Sequence, residues 1–386
     1  MLKIVIDVRR IRDFGIGTYI RNLVNALAHV DHTNRYVLVT SPGEARSFTG
    51  LPSHFEVATY AGSDERPKDN AAFPWFLRRF SANLFHVPLN RVPVWMPKPY
   101  IVTIHDMASL LFTEQTGIRA DLHRWRFRRG LQQAERVIAV SASTRRDVQN
   151  YLGIPAERVR LVYNAPDPDF SRQRHAADAR AAGPQTEERE RQRVLERYQI
   201  TYPFLLYAGN IRPQKNIPRL VEAFAVAYNE LANHPVYKDL RLIIIGDEIA
   251  RNPAVRRAIL HSRIENRARF LGFVPFDTLR AFYQSAEAFV FPSLYEGFGL
   301  PPLEAMATGT PVITSNVGSL PEAVGDAAML VNPENVFDIA RGIREVLLDA
   351  DLRATLVRRG TERVARFSWE RTAREVLEIY QEAGGR

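Results

Sequence analysis

Short runs rich in Val and Ile alternate along the chain with longer segments in which apolar residues recur every three or four positions. The longer segments, such as 19–30 and 217–232, predict amphipathic helices, and the short runs predict buried strands. The predicted strands form two sets, at 2–8, 36–41, 55–60, 84–88, 100–106, 136–141 and 158–164, and at 203–210, 240–246, 269–274, 288–293, 311–316 and 328–332. Strands that are apolar on both faces and separated by helices are typical of parallel sheets covered on both sides.

A proline-rich stretch and a polar segment separate the two sets of predicted strands. Residues 164–170 read NAPDPDF, and the polar segment that follows, 171–198, is expected to be partly helical. We therefore predict two doubly wound α/β domains, residues 1–166 and 167–367. Ligands of such sheets bind beyond the carboxyl ends of the strands, so the residues that follow each strand are the candidates for a site.

Composition narrows the class of protein and its partners. The chain has 386 residues and no cysteine, which excludes disulfides and thiolate metal sites and fits a reducing compartment. No apolar run reaches the length of a membrane span, and the N-terminus reads as a core strand without a targeting segment, so we expect a cytoplasmic protein. The formal net charge of +9 favours an anionic partner: nucleic acid, anionic lipid or a phosphorylated small molecule. Zinc-finger spacing and RNA-recognition signatures are lacking, which disfavours nucleic acid.

Two cations follow the first predicted strand of the second set. Arg212 and Lys215 lie in the turn before a helix whose first turn contains Pro218. Cations are unfavourable at a helix N-terminus, by about 0.3–1 kcal/mol each. A bound phosphate between the cations and the helix would more than offset this cost, since a charged hydrogen bond contributes about 1.5–3 kcal/mol. Two solvated loop cations are the alternative.

Two carboxylates flank a glycine- and proline-rich turn after the strand at 288–293. Glu296 precedes the turn, and Glu304 lies in the helix predicted over 300–308. Backbone amides at the start of this helix form an anion-binding position, and they belong to Phe298, Gly299 and Leu300. Carboxylates beside such a position suit recognition of sugar or ribose hydroxyls.

The strands of the first set are followed by weaker signals. Gly15 and Gly17 form half of a dinucleotide-binding fingerprint, because Ile20 stands where the third glycine would be. They predict either a tight turn or close approach of the backbone to a ligand. His105 and Asp106 end the strand at 100–106, where an imidazole can contact a ligand hydroxyl, although a structural role is the commoner one for a lone histidine.

The stretch EGFGLPPLE, residues 296–304, resembles the Glu-x7-Glu signature of family-4 retaining glycosyltransferases. Further segments follow in the family's order, among them FGIGTY, TIHD, VYNAPDPDF, YAGNIRPQKNI and FSWERTA. The resemblance implies a GT-B fold, with two Rossmann-like domains facing across a cleft and a C-terminal helix, 368–386, that packs back on the N-terminal domain. Ser368 is the predicted N-cap of that helix. The chain departs from the family at Ala165, where a glycine is usual.

The resemblance also implies roles for individual residues. Arg212 and Lys215 would bind the donor diphosphate, Glu304 the nucleotide ribose, and Glu296 the transferred sugar. Backbone contacts would come from Phe298, Gly299 and Leu300, with Gly15 and Gly17 bordering the diphosphate and sugar. The catalytic candidates are His105, Arg212, Lys215 and Glu296, and the candidates on the acceptor side are Arg9, Arg10, Arg12 and Asp106. No metal or other cofactor is expected, and we interpret Asp167–Asp169 as structural.

We expect a retaining hexosyltransferase that uses a nucleotide-diphosphate sugar, GDP-mannose in the first instance, and a glycan or polyprenyl-linked acceptor in polysaccharide or glycoconjugate synthesis. A UDP-sugar transferase for glucose, galactose or N-acetylglucosamine is an alternative. A nucleotide-sugar epimerase and a non-catalytic binder of nucleotide sugars are alternatives of other classes, and nucleic acid is not expected as a partner. The basic aromatic segment 119–131 indicates either peripheral contact with the anionic inner face of a membrane or a solvated helix face.

Overall fold

The computed structural model describes residues 1–13, 15–62, 68–89, 91–112, 118–170, 184–247 and 252–385, without the side chains of 118–120, 123 and 184–187. The chain folds into two compact units. Unit 1 comprises Met1–Ala165 and Phe367–Arg386, and unit 2 comprises Pro166–Arg366. The boundaries expected from the sequence lie at 166 and 367, and residues 171–183 of the polar segment lie outside the described residues.

Unit 1 is built on a parallel sheet of seven strands in the order β3-β2-β1-β4-β5-β6-β7. Their bounds are β1 Lys3–Asp7, β2 Arg35–Thr40, β3 Phe55–Thr59, β4 Leu84–Val87, β5 Tyr100–Ile104, β6 Arg136–Ala139 and β7 Val159–Leu161. Ile4 of the central strand β1 pairs with Tyr36 on one side and Leu84 on the other. These three residues are almost inaccessible to solvent, as expected for strands covered on both faces.

The helices that precede the linker in unit 1 are α1 Ile16–Val30, α2 Asp69–Arg78, α3 Ala108–Leu111, α4 Ile118–Gln133 and α5 Ala142–Leu152. From β3 to β7 the chain crosses the sheet in one direction, whereas from β1 to β3 it moves in the other. Because such crossovers are right-handed, α2, the β4–β5 connection and α4 share one face of the sheet, and α1 lies on the opposite face.

Unit 2 contains a parallel sheet of six strands in the order β10-β9-β8-β11-β12-β13. Its strands are β8 Phe204–Gly209, β9 Arg241–Gly246, β10 Ala268–Gly272, β11 Ala288–Phe291, β12 Val312–Ser315 and β13 Met329–Val331. Its helices are α6 Pro184–Arg197, α7 Ile217–Glu230, α8 Pro253–Ser262, α9 Phe276–Ser285, α10 Leu300–Ala307, α11 Leu320–Val324, α12 Val336–Leu348 and α13 Ala350–Val364. Both sheets are doubly wound, which confirms the predicted fold class.

The last helix, α14 (Trp369–Gly384), belongs to unit 1, where it packs against α1 and β4. Ser368 caps it as predicted, because its hydroxyl accepts a hydrogen bond from the Arg371 amide at 3.2 Å. The helix buries one apolar stripe, and Glu382 on its last turn forms an ion pair with Arg160 of β7 at 2.6 Å. The end of the chain therefore completes the first unit of the fold.

The positive charge of the chain is concentrated in unit 1. That unit has 26 Lys and Arg against 18 Asp and Glu, so it carries +8 of the formal net charge of +9. Unit 2 has 26 against 25 and is nearly neutral. No helix in the described part of the chain is long and apolar enough to cross a membrane.

Candidate functional site

The candidate residues of unit 2 converge at the carboxyl ends of its two central strands. β8 and β11 are neighbours in the sheet, but the chain leaves them toward opposite edges. In doubly wound sheets this reversal opens a crevice in which ligands bind. Arg212 and Lys215 follow β8, Glu296 follows β11, and Glu304 lies in α10, which begins directly after the Glu296 loop.

Lys215 and Glu296 form a close ion pair at this crevice. The Lys215 Nζ atom lies 2.6 Å from Oε1 and 2.8 Å from Oε2 of Glu296. The two side chains are only 15% and 11% exposed, so solvent screens their attraction weakly. The ammonium also lies 5.4 Å from the centre of the Phe291 ring, which adds a cation–π contact. Lys215 and Glu296, which were predicted from the sequence as separate site residues, therefore fix each other's orientation.

Asn216 fixes the turn that carries Lys215. Its backbone is left-handed, with φ of 62°, and its buried amide donates to the carbonyls of Pro292 at 3.0 Å and Pro333 at 2.7 Å. Those carbonyls follow β11 and β13, so one side chain ties together the ends of several strands. Sequence reasoning missed Asn216, although an asparagine directly before the Ile-Pro helix start was a signal.

The loop that carries Glu296 is held from both sides. The Leu294 amide donates to the Gln214 carbonyl at 2.8 Å, and the Ser319 hydroxyl donates to the Glu296 carbonyl at 2.9 Å. Gly299 has a φ of 116°, and a Cβ atom there would lie 3.0 Å from Leu320 Cδ2. The left-handed backbone therefore favours glycine at this position, and a Cβ atom would in addition press on the Leu320 side chain before α10.

The prolines in the first turn of α10 reduce the number of backbone N–H groups available at its N-terminus. Gly299 is the N-cap, Leu300 is the first helical residue, and Pro301 and Pro302 follow without N–H groups. Of the amides that a helix start normally leaves without an internal partner, this sequence retains those of Gly299 and Leu300. They belong to the predicted backbone contacts, together with the buried Phe298.

Arg212 differs from Lys215 in having no carboxylate partner among the described residues. It is exposed, and it begins the 3₁₀ turn Pro213–Lys215, which the Lys215 amide closes on the Arg212 carbonyl at 2.9 Å. Arg212 therefore adds a positive charge to the turn that carries Lys215.

Glu304 lies in an environment that disfavours its charged form. Burial, and then the nearby Asp167 carboxylate, raise its pKa to about 8, although the Tyr283 hydroxyl lies 3.4 Å from Oε2 and acts in the opposite direction. In the absence of ligand the carboxyl is thus mostly protonated at neutral pH. A ribose that donates two hydroxyl hydrogen bonds would favour the charged form and lower this pKa.

Asp167, in the segment interpreted as structural, accepts a hydrogen bond from the Asp169 amide at 3.1 Å. The bond opens the 3₁₀ turn Pro168–Phe170, and Asp167 itself is 8% exposed. Its effect on Glu304 was not visible in the sequence. Over the described residues, no three or more His, Asp or Glu side chains are grouped so that they could hold a metal ion.

The two candidate glycines of unit 1, Gly15 and Gly17, are favoured at their positions for different structural reasons. Gly15 is the N-cap of α1 with φ of 67°, and a Cβ atom there would meet nothing within 4 Å. A Cβ atom on Gly17 would lie 2.2 Å from the Ile11 carbonyl oxygen. Gly17 is therefore required by internal packing, whereas Gly15 leaves open space that a ligand could approach.

His105 follows β5, and its imidazole is held in one tautomer. Nε2 lies 3.1 Å from the Pro88 carbonyl, which can only accept, so in the neutral ring this nitrogen carries the proton. Burial lowers the pKa of His105 to about 4, which keeps the ring neutral at pH 7. A neutral ring of this tautomer suits a sugar hydroxyl better than a phosphate.

The acceptor-side candidates are held within unit 1 to different extents. Arg9 is 7% exposed, pairs with Asp7 at 2.7 Å and stacks 3.6 Å above the Phe73 ring, which is a structural arrangement. Arg10 pairs with Asp13, and the Asp106 carboxylate accepts from the Ala108 amide at 2.9 Å. Arg12 is 79% exposed and reaches Glu44 at 2.7 Å. Arg12 is therefore the most accessible cation of this group.

Sequence comparisons agree with this arrangement. Residues 15–170 match Glycosyltransferase Family 4, and residues 188–363 match Glycosyl transferases group 1. The O-antigen chain mannosyltransferase B of Escherichia coli is 30% identical over 313 residues, which cover 80% of this chain and 76% of that protein. The serotype-specific mannosyltransferase WbdA of Escherichia coli is 30% identical over 295 residues, which cover 76% of this chain but 34% of that longer protein.

Solved structures share the fold over the full length of the chain. The sucrose-phosphate synthase of Thermosynechococcus elongatus superposes with a TM-score of 0.74 at 21% identity, covering 99% of each chain. Anabaena HepE, solved with UDP and glucose, gives 0.74 at 18% identity and covers 99% of this chain and 100% of that one. The chain belongs to glycosyltransferase family 4 and has the GT-B fold, so it is a glycosyltransferase, as the signature at 296–304 indicated.

The raised pKa of Glu304 predicts a pH-dependent effect of the substitution Glu304→Gln. In the unfolded chain Glu304 ionises above its ordinary pKa of 4.5, but in the folded protein only near 8. Ionisation of Glu304 therefore favours the unfolded chain. The free energy of unfolding decreases as the pH rises from 4.5 to 8, and this loss is constant above pH 8. Glu304→Gln should raise Tm at pH 8.5 by about 10 °C or more, since the difference between a pKa of 4.5 and one of about 8 corresponds to about 5 kcal/mol and each kcal/mol moves Tm by about 2–4 °C at this domain size.

Thermal unfolding followed by circular dichroism at pH 5 and pH 8.5 checks this expectation. At pH 5 the variant and the wild type should unfold at nearly the same temperature. The exposed Glu334→Gln, in the same unit, serves as the control and should show no such difference. A Tm change for Glu304→Gln that is equal at both pH values would contradict the assigned environment.

Proposed function

We propose that the protein is a retaining hexosyltransferase that moves mannose from GDP-mannose to a glycan or lipid-linked acceptor. The observation that carries the proposal is the Lys215–Glu296 pair at the crevice of unit 2, with Arg212 beside it. The choice of mannose is supported by the relatives named as mannosyltransferases at 30% identity. The donor supplies the leaving group, and the protein supplies charge and orientation.

Charge develops on the departing diphosphate as the glycosyl bond breaks. Arg212 and Lys215 are the cations that stabilise this charge, and the Gly299 and Leu300 amides at the start of α10 add hydrogen bonds. We propose that these groups suffice without a metal ion. Glu304 then holds the ribose of the nucleotide, gaining its charge as the hydroxyls bind.

Glu296 acts in this proposal as a receptor for hydroxyls of the transferred sugar. Both of its oxygens lie within 2.8 Å of the Lys215 ammonium, which fixes the orientation of the carboxylate, and we assign it a binding role rather than that of a covalent nucleophile. His105, whose ring is oriented by the hydrogen bond from Nε2 to the Pro88 carbonyl, contacts a further hydroxyl of the transferred sugar in this proposal. The acceptor hydroxyl attacks on the face of the leaving group, and the departing phosphate takes its proton, so the anomeric configuration is retained.

We also propose that unit 1 contacts an anionic membrane surface through one face. Three of the four tryptophans of the chain are exposed there, Trp75 on α2, Trp95 in the β4–β5 connection and Trp125 on α4, at 76%, 62% and 51%. Trp75 and Trp95 line one groove with Arg78, and Gly130 of α4 lies against Val92 of the connection. Exposed indoles among cations are typical of surfaces that lie at a lipid headgroup layer.

The assignment of Arg212 and Lys215 predicts slow turnover in their alanine variants. Release of nucleoside diphosphate from GDP-mannose, with water or a supplied glycan as acceptor, measures the reaction directly. Arg212→Ala and Lys215→Ala should each reduce the rate by about 100-fold, because each removes charge stabilisation from the transition state. Lys215→Ala should also weaken donor binding, since it leaves the Glu296 charge without its partner.

Arg257→Ala is the matched control, because Arg257 is an exposed arginine on α8 of the same unit. It should turn over donor at the wild-type rate. UDP-glucose, UDP-galactose and UDP-N-acetylglucosamine are assayed in parallel, and faster turnover of one of them would replace the GDP-mannose assignment. Wild-type rates in the Arg212 and Lys215 variants with every donor would remove the proposed diphosphate site.

The membrane proposal predicts salt-sensitive binding to anionic vesicles. The wild type should cosediment with vesicles that contain phosphatidylglycerol and not with vesicles of phosphatidylcholine alone. Each of Arg128→Gln and Arg129→Gln should weaken binding about 5-fold, which corresponds to about 1 kcal/mol per cation near the surface. Combined alanine substitution of Trp75, Trp95 and Trp125 should abolish it, whereas Phe337→Ala, at a residue 73% exposed in unit 2, should not. Equal binding to both kinds of vesicle would refute the proposal.

A further inference from the structure

A chain of buried polar side chains connects the C-terminal helix with the centre of unit 1. The Tyr380 hydroxyl on α14 lies 2.7 Å from Nδ1 of His86 on β4, and Nε2 of His86 lies 2.8 Å from the Thr103 hydroxyl on β5. The Thr103 hydroxyl lies 3.1 Å from the hydroxyl of Tyr19 on α1. All four side chains are at most 1% exposed.

This chain of hydrogen bonds ends against His105. The Tyr19 ring meets the imidazole of His105 edge to face, with ring centres 4.8 Å apart and planes at 78°. Trp369, at the start of α14, contacts the same tyrosine ring with centres 5.8 Å apart. Helix α14 thus contacts Tyr19 directly through Trp369, and it is linked to the Tyr19 hydroxyl through Tyr380 and the chain of hydrogen bonds. The Tyr19 ring in turn packs against the imidazole of His105 and restricts the orientation of that ring.

The polar groups in this chain are costly to bury, and apolar residues of similar shape would fill the same space. A buried hydroxyl or imidazole is tolerated only when its hydrogen bonds are made. His86 is neutral, since burial and the neighbouring His105 lower its pKa to about 3, so one ring nitrogen donates and the other accepts. Such directional bonds fix the position and rotation of Tyr19 more narrowly than packing does.

We propose that Tyr19 is a positioning residue for His105, and that Thr103, His86 and Tyr380 hold the Tyr19 hydroxyl so that α14 fixes the imidazole. The inference rests on the proposed role of His105 at the transferred sugar. The C-terminal helix α14 would then contribute to the reaction indirectly, because Tyr380 and Trp369 hold Tyr19 against His105. His105 itself is bonded to the Pro88 carbonyl, so its ring is oriented from both sides.

The test compares Tyr19→Phe and Tyr380→Phe with Tyr100→Phe. The control also removes a buried hydroxyl of unit 1, because Tyr100 donates to the Gly130 carbonyl at 2.6 Å. Nuclear magnetic resonance of histidine labelled with ¹⁵N reports the ring of His105, which is assigned by its loss in His105→Ala. The His105 resonances should shift in Tyr19→Phe and Tyr380→Phe and stay at the wild-type positions in Tyr100→Phe.

Release of nucleoside diphosphate from GDP-mannose supplies the second readout. Tyr19→Phe should lower kcat by about tenfold, as expected for a displaced contact group, with the donor KM little changed. In the His105→Ala background the same substitution should change the rate by less than about twofold, because the group it positions is gone.

Unchanged His105 resonances in both Tyr19→Phe and Tyr380→Phe would overturn the proposal. A loss of rate that persists in the His105→Ala background would also overturn it, since Tyr19 would then act independently of His105. The resonance measurement needs no donor, so it decides the positioning of His105 even if GDP-mannose proves not to be the substrate. Circular dichroism checks that each variant is folded. If Tyr19→Phe does not fold, the resonances of His105 in Tyr380→Phe decide the proposal.

Discussion

The ion pair between Lys215 and Glu296 is the interaction on which the rest of the candidate site depends. It joins the turn after β8 to the loop after β11, and Asn216 and Ser319 hold these two segments by hydrogen bonds to backbone carbonyls. Arg212 lies in the same turn as Lys215, and α10 begins where the Glu296 loop ends. A change in any of these contacts would displace several groups at once, because strand ends, turn and helix start share them.

The two units of the chain divide charge as well as structure. Unit 2 is nearly neutral and concentrates its chemistry at one sheet crevice, whereas unit 1 carries +8 and exposes three tryptophans on the face formed by α2, the β4–β5 connection and α4. Such a division agrees with our proposals that unit 2 binds an anionic donor and that unit 1 contacts an anionic membrane surface. The opposite face of unit 1 is covered by α1 and α14, where the buried chain of polar side chains lies.

Much of the fold could be predicted because strands buried on both faces leave unmistakable apolar runs in the sequence. The candidate residues of unit 2 could be found as well, since cations before a helix and carboxylates beside glycines are locally unusual. The contacts between these residues could not be predicted, because Lys215 and Glu296 lie 81 positions apart and no local sequence pattern indicates that they pair. The raised pKa of Glu304 depends on its burial and on the Asp167 carboxylate, which the fold brings close to it. The same limit applies to Gly15 and Gly17, which look equivalent in the sequence and differ in what surrounds them.

The most direct test of the account is the preference of unit 2 for a diphosphate, measured by titration calorimetry on the whole protein. GDP is compared with GMP, and UDP with UMP, for the wild type and for Lys215→Ala. We expect one diphosphate to bind the wild type about 10-fold or more tighter than its monophosphate, as a charged hydrogen bond would give, and Lys215→Ala to remove most of this difference. Equal affinities for mono- and diphosphates in the wild type, or an unchanged preference in the variant, would contradict it.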